Sequence, residues 1–347
     1  MPTTHTRRAE ETDVMTAASR WQAADGHVAL ATIIETWGSA PVPVGGQMVI
    51  AKDGAFQGSV SGGCVEGDVI SEAMDCLDDG KPRTLSFGVE DETAWRVGLP
   101  CGGKIRVFVE RVDGAAGKAY LDRALAARKA RAGLVVTTRL SDGHRTLAER
   151  GTHGQHADLE RRFFSGKSSL EVTPEGEVFV HALMPPPRVL IVGATHIAQI
   201  LAEMVQLTGY QVSVIDPRTA FAADARFPGI ALITEWPQDA LPKLGLDPYT
   251  AVAALSHVGH IDDEALKLAV KSDCFYIGAL GSKRNHAKRT ERLLAAGLST
   301  AEIARIACPI GLDIGAGTPP EIAVSVMAEL IRALRGEKGK GAKIAAA

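Results

Sequence analysis

Little net charge, no long apolar run and no closely spaced cysteine pair characterise this chain of 347 residues. Lys and Arg number 38 against 41 Asp and Glu, a formal charge of −3. So small a value gives no general electrostatic case for nucleic acid or an anionic membrane, and any anion site has to be built locally. Nowhere do the roughly eighteen uncharged apolar residues of a membrane span run together. The basic residues of MPTTHTRRAEETDVM precede no apolar segment, so no leader is expected and the protein is placed in the cytoplasm. Its five cysteines, Cys64, Cys76, Cys101, Cys274 and Cys308, are odd in number and scattered, with no CxxC. That pattern excludes a disulfide framework and a zinc ribbon. Hydrophobic residues at 46% and charged residues at 23% are ordinary globular usage, which excludes disorder, collagen and coiled coil. There is no internal repeat.

What is present reads as two domains, since the length exceeds one ordinary core. Residues 1–15 are expected to be a disordered polar tail and 16–184 an α+β domain. That domain opens on the strand HVALATIIET and on GGQMVIAKDGAFQGSV, two strands joined at the Asp53-Gly54 hairpin signal. CVEGDVISEAMDCLDDG has helical spacing and ends at Gly80, which puts Cys64 about where a helix begins. TLSFG and KIRVFVERV are strands, followed by an Ala/Arg helix, LVVTTRL and EVFVHAL. Pro185, Pro186 and Pro187 form a stiff boundary. Beyond it, RVLIVGATHIAQILAEMVQLTGYQVSVIDPR is a βαβ unit, and IALIT, TAVAALSH and DCFYIGAL alternate with helices. The fold class is therefore α/β: a carboxy-terminal Rossmann-like parallel-sheet domain over 188–336, preceded by a smaller α+β domain, with a loose tail over 337–347.

Four stretches carry chemistry. The turn Gly193-Ala194-Thr195-His196 has Thr195 where a dinucleotide fingerprint needs its second glycine. Asp216 stands where a ribose-binding carboxylate would be. NAD is not expected, although an NAD(P)-dependent oxidoreductase is the alternative reading. Gly281, Ser282, Lys283 and Arg284 lead from a strand into a helix whose first turn is positive, an arrangement that calls for a bound anion such as phosphate. His257 and His260, in ALSHVGHIDDEAL, lie beyond a strand at the edge where open α/β sheets bind ligands; contact by His257 is expected and a metal pair is not. Cys64 is framed by Gly62 and Gly63 in GSVSGGCVEGD. A thiol at a helix amino terminus faces the positive end of the dipole, which favours thiolate: a nucleophile, a soft metal ligand or a sulfur carrier. Cys101, in LPCGG, has a similar glycine-rich setting, whereas Cys76 and Cys274 read as packing. No histidine can be assigned as a base to either loop thiol, which argues against a cysteine protease or amidase.

Six ordered motifs, GSVSGGCVEGDV, VGLPCGGKIRVFVE, GATH leading to VIDPR, ALSHVGHIDDEAL, FYIGALGSKRNHAKRTERL and PIGLDIGAGTPPEIAVSVMAELI, closely resemble the XdhC/CoxI family of accessory proteins for molybdenum hydroxylases. The resemblance spans residues 28–112 and 188–336. It implies a chaperone without turnover chemistry, which binds molybdenum cofactor, protects it and delivers it to an apo molybdenum hydroxylase such as a xanthine or carbon monoxide dehydrogenase. It further implies a cysteine desulfurase partner that assists sulfuration, and a homodimer. The cofactor, molybdopterin carrying a soft metal and a phosphate, suits Cys64 or Cys101 at one end, with Cys64 as the metal ligand. The Gly281, Ser282, Lys283 and Arg284 helix start, with His257, suits the other. The two halves are then expected to hold opposite ends of one ligand. The family's usual turn is closer to GAGH than to GATH, a further reason not to expect NAD.

Overall fold

The computed structural model describes residues 13–88, 103–150 and 157–335. The chain divides into two compact units, one running to Pro185 and one from Pro186; the first takes the greater length of chain. Cys101 lies outside the described residues. Among the described residues, no helix is long and apolar enough to cross a membrane.

The first unit opens earlier than the polar composition predicts. Asp13 accepts a hydrogen bond from the Thr16 N–H at 2.9 Å and so caps helix α1, Val14–Asp25. Val14 and Met15, which the tail expected over 1–15 included, belong to this helix. Strands β1 (His27–Trp37), β2 (Gln47–Ile50), β3 (Phe56–Gly58), β4 (Arg83–Phe87) and β5 (Lys104–Asp113) form an antiparallel sheet in the order β3-β2-β1-β5-β4. β1 is buried almost throughout because both faces of the sheet are covered. Ala29, Ala31 and Ile33 share a core with Val69, Ala73, Cys76 and Leu77 of helix α2, Glu66–Asp79. Val28 and Leu30, on the other face, pack with Ala17 and Ala18 of α1 and with Tyr120, Leu121 and Ala124 of helix α3, Gly114–Lys129. The period-two alternation of a strand is thus hidden in sequence by two apolar environments rather than one.

A second antiparallel sheet, in the order β7-β6-β9-β8, joins β6 (Leu134–Arg139), β7 (Arg145–Glu149), β8 (Ser169–Thr173) and β9 (Gly176–Leu183), with helix α4 (Ala157–Ser165) beside it. β7, β8 and α4 are not among the sequence-derived elements. Between the sheets Arg145 of β7 reaches Glu110 of β5 at 2.6 Å and lies over the Tyr120 ring at 4.6 Å, so the buried carboxylate has a cation beside it.

The second unit is a six-stranded, wholly parallel sheet. Its strands are β10 (Arg188–Val192), β11 (Gln211–Ile215), β12 (Ala231–Ile233), β13 (Thr250–Ala254), β14 (Tyr276–Ala279) and β15 (Ile306–Ala307), in the order β12-β11-β10-β13-β14-β15. This is the doubly wound arrangement, whose strand order reverses between β10 and β13. One face packs on helices α5 (His196–Leu207) and α10 (Pro319–Arg335). The other packs on α6 (Pro237–Leu244), α7 (Gly259–Ala269), α8 (Lys283–Ala295) and the short α9 (Thr300–Ile303). The Ser299–Glu302 capping box expected from sequence is present, and at Thr318 the Glu321 carboxylate accepts the Thr318 N–H at 2.8 Å.

Burial pushes the imidazole of His181, on β9, down to about 4, against the Gly45 backbone beside it, which acts to raise it. The folded protein keeps this ring neutral while the unfolded chain protonates near pH 6.5. Stability is therefore full above about pH 6.5 and falls as pH drops toward 4, by a few kcal/mol in all. Urea unfolding at pH 7 and at pH 5 checks this: the loss of stability at pH 5 should shrink in a His181→Asn protein, whatever that change does to stability at pH 7.

Candidate functional site

Cys64 stands in a loop, residues 59–65, between β3 and α2. Gly62 and Gly63 have φ of +79° and +114°, values that side chains with a Cβ rarely adopt. A loop folded this tightly turns its backbone N–H groups inward, and one carboxylate accepts three of the six between residues 60 and 65. Glu66, the first residue of α2, is 8% exposed. Its Oε1 accepts from the Ser59 hydroxyl at 2.6 Å, the Ser61 N–H at 2.9 Å and the Val60 N–H at 3.2 Å. Its Oε2 accepts from the Ser61 hydroxyl and from the Gly63 N–H at 2.9 Å. The Ser61 Oγ in turn accepts the N–H groups of Cys64 and Val65 at 2.9 and 3.0 Å, and Ser59 Oγ accepts that of Gly62 at 2.8 Å. All six successive amides, 60 to 65, are thereby engaged inside the loop. Burial alone would raise the Glu66 carboxyl; the Ser59 and Ser61 hydroxyls and the Ser61 N–H outweigh it and hold the group down at about 2.

Two consequences follow for chemistry. No amide of this loop is available to an oxyanion, so the loop is not built for acyl transfer. What it offers outward is the exposed, free thiol of Cys64. The positive end of α2 is met by the carboxylate of Glu66, with Asp68 also in the first turn. Among the described residues, no group of three or more His, Cys, Asp or Glu is placed to hold a metal.

The carboxyl edge of the parallel sheet is organised differently. β13 and β14 are neighbours in register, Ala254 opposite Ala279, so the segments carrying Ser256, His257 and Gly281, Ser282 leave the sheet side by side. Ser282 caps α8, its hydroxyl accepting the Asn285 N–H at 3.2 Å. Lys283 and Arg284 are exposed, and the first turn of α8 has no acidic residue. Their own N–H groups, among the first of the helix, have no intrahelical acceptor. His257 has φ of +60°, a left-handed conformation that costs a non-glycine residue about 1 kcal/mol, and it is exposed. His260 turns to Trp236, ring centres 5.8 Å apart. Behind this edge Arg289 is buried; it donates to the Leu280 carbonyl at 3.0 Å and stands 3.7 Å from Asp262. Asp262 itself accepts from the Ser256 hydroxyl at 2.6 Å.

At the switch point the fingerprint turn is packed shut. A Cβ on Gly193 would come within 2.4 Å of the Ser256 backbone, and Thr195 caps α5. Asp216 is fully buried. It accepts from the N–H groups of Ala194 (2.7 Å) and Arg218 (2.9 Å), and from Arg218 Nε (2.9 Å) and Nη2 (2.7 Å). Four donors fill the roughly four acceptor sites of a carboxylate, leaving a ribose hydroxyl no open partner there.

Residues 21–88, which include the Cys64 loop, match the XdhC and CoxI family, and residues 189–330 match the XdhC Rossmann domain. A probable xanthine dehydrogenase subunit of Bacillus subtilis strain 168 is 32% identical over 311 residues, 87% of this chain and 92% of that one. This chain belongs to the XdhC and CoxI family. The molybdenum cofactor insertion chaperone PaoD of Escherichia coli strain K12 is 29% identical over 308 residues, 87% of this chain and 81% of its own. The crystal structure of a xanthine dehydrogenase from Bacillus halodurans superposes with a TM-score of 0.68 at 27% identity, covering 95% of this chain and 98% of that one.

For this XdhC and CoxI family member, the structure describes Gly62, Gly63 and Cys64 on one loop of the first unit, and His257, Gly281, Ser282, Lys283 and Arg284 on one edge of the second. Sequence reasoning overlooked Glu66, Ser61 and Arg289. The one available signal for Glu66 was its position three residues after Gly63, the capping-box interval. Because the folded pKa of Glu66 lies below its unfolded value of 4.5, the stabilisation it contributes is whole above pH 4.5 and disappears as pH falls through about 2. Acid unfolding followed by circular dichroism should show a smaller loss between pH 4.5 and 2 in Glu66→Gln than in the parent.

Proposed function

We propose that this protein is a molybdenum cofactor chaperone, holding the cofactor as cargo for insertion into a molybdenum hydroxylase of the xanthine dehydrogenase type. Membership of the XdhC and CoxI family, with a relative named as a molybdenum cofactor insertion chaperone, supports the reading. The observation that carries it in this chain is the Cys64 loop, which offers a soft ligand, no oxyanion stabiliser and no resident metal cluster among the described residues. Such a site suits a metal that comes with its own dithiolene and leaves with it. The phosphate of molybdopterin suits the start of α8, where Lys283, Arg284 and the open first-turn amides offer charge and donors together.

The finer assignments belong to the same proposal. Cys64 is the metal contact, with Gly62 and Gly63 giving the cofactor room and Cys101 as a second sulfur. His257, Gly281, Ser282, Lys283 and Arg284 hold the anionic end. A cysteine desulfurase is the partner that assists sulfuration, carbon monoxide dehydrogenases are further clients, and the chaperone works in the cytoplasm as a homodimer without turning over a substrate.

Protein purified anaerobically from cells making molybdopterin should carry molybdenum and pterin fluorescence. Cys64→Ser should reduce the retained metal at least about tenfold, the loss of one good contact. Lys283→Ala should weaken pterin retention by a smaller factor, with a steeper loss at high salt. Full retention by both variants would overturn the proposal. Titration with NADH should leave its near-UV absorbance and fluorescence unchanged.

A further inference from the structure

We infer that Glu66 is a positioning residue for Cys64: its carboxylate, together with the Ser61 hydroxyl that it orients, holds residues 60–65 in the backbone path that turns the thiol outward. The inference rests on the reading of Cys64 as the cofactor contact.

An ordinary helix cap satisfies one or two amides. Glu66 accepts from five donors, three amides and two hydroxyls. The network also has a direction. An ionised carboxylate only accepts, so the Ser61 hydroxyl must point its proton at Glu66, which leaves the Ser61 lone pairs facing the Cys64 and Val65 N–H groups. The charge on Glu66 thereby fixes the two amides that flank the cysteine side chain without touching them. Glutamine has the same shape and cannot do this. Whichever way its amide is turned, its NH2 faces a backbone N–H, that of Val60 and Ser61 on one side or that of Gly63 on the other, and at least one loop amide is orphaned. The loop then has a reason to leave its path while the rest of α2 stays packed on the sheet through Val69, Ala73 and Leu77.

Amide hydrogen exchange on the full-length protein tests this. In the parent, the amides of residues 60–65 should be protected although Gly62, Gly63 and Cys64 are exposed. In Glu66→Gln they should exchange at least about tenfold faster, and Glu66→Asp, which keeps the charge, should recover part of the protection. Cys76, buried on α2 in the same unit, should stay unreactive to iodoacetamide in all three. If Cys76 becomes reactive in Glu66→Gln, Ser61→Ala decides instead: faster exchange confined to residues 64 and 65 supports the inference. Unchanged exchange in both variants overturns it. Molybdopterin retained on anaerobic purification is the second readout: Glu66→Gln should lower it, and the Cys64→Ser, Glu66→Gln double variant should retain no less than Cys64→Ser. Additive losses would overturn action through Cys64. Full retention by Cys64→Ser would remove the functional reading alone, and the exchange data would still decide whether Glu66 holds the loop.

Discussion

A glycine-rich loop that exposes a thiol has to do something with its backbone. Each buried N–H left without an acceptor costs about 1–3 kcal/mol, and Val60, Ser61 and Val65 are buried. The carboxylate of Glu66 removes that cost for residues 60–65, partly by direct contact and partly through Ser59 and Ser61. The path of the loop, the entry into α2 and the outward turn of Cys64 all depend on one buried negative charge. Because that charge is engaged by so many donors it stays ionised far into acid, so the geometry around the sulfur does not vary across the physiological pH range.

The second unit shows the same economy applied to a different end. A doubly wound sheet has a crevice where its strand order reverses, and in dinucleotide enzymes that crevice is kept open. Here Gly193 lets β10 and β13 close against each other at Ser256, and Asp216 is saturated by Ala194 and Arg218. Arg226 adds a further tie, donating to the Ala194 carbonyl at 3.0 Å. The Asp216 carboxylate, at the position of a ribose-binding acid, is thus tied to the chain's own donors. The open donors lie instead one connection further along the edge, at the start of α8.

Much of this was legible in the sequence, and the reasons are specific. β10, β13 and β14 are buried on both faces, so they appear as near-continuous apolar runs with glycine turns between them. The hairpin at Asp53-Gly54 and the box at Ser299 are local signals whose meaning does not depend on the rest of the chain. What escaped was context. The buried face of α1 consists of Met15, Ala17, Ala18 and Gln22, too weakly apolar to stand out after a polar stretch. α6 contains Pro237 and Pro242, which read as a break. β7 and β8 lie at the two edges of their sheet and are only partly buried. Glu66 and Arg289 are charged residues on otherwise exposed helix turns; that they are buried follows from a loop folding back in one case and from the neighbouring strand end in the other. Cys64, by contrast, was conspicuous because glycines flanked it, although the helix dipole behind it is offset by the Glu66 carboxylate at the same helix end.

The two loops differ in the kind of ligand each can recognise, and the difference follows from where the amides go. Around Cys64 the amides of residues 60–65 are all taken up inside the loop, which leaves the exposed thiol as the soft donor of the proposed cofactor contact. At the start of α8 the Lys283 and Arg284 side chains are exposed and no acidic residue stands in the first turn, which is what the proposed phosphate contact would use. Catalysis on either ligand would need further groups: a base beside the thiol, or donors aimed at charge that develops during a reaction. The Glu66 carboxylate is engaged within the Cys64 loop, and beside α8 Asp263 is paired with Arg292 at 2.6 Å while Asp262 accepts from Ser256. In the proposed reading, sites made this way grip and release a reactive molecule without altering it, the property a carrier requires.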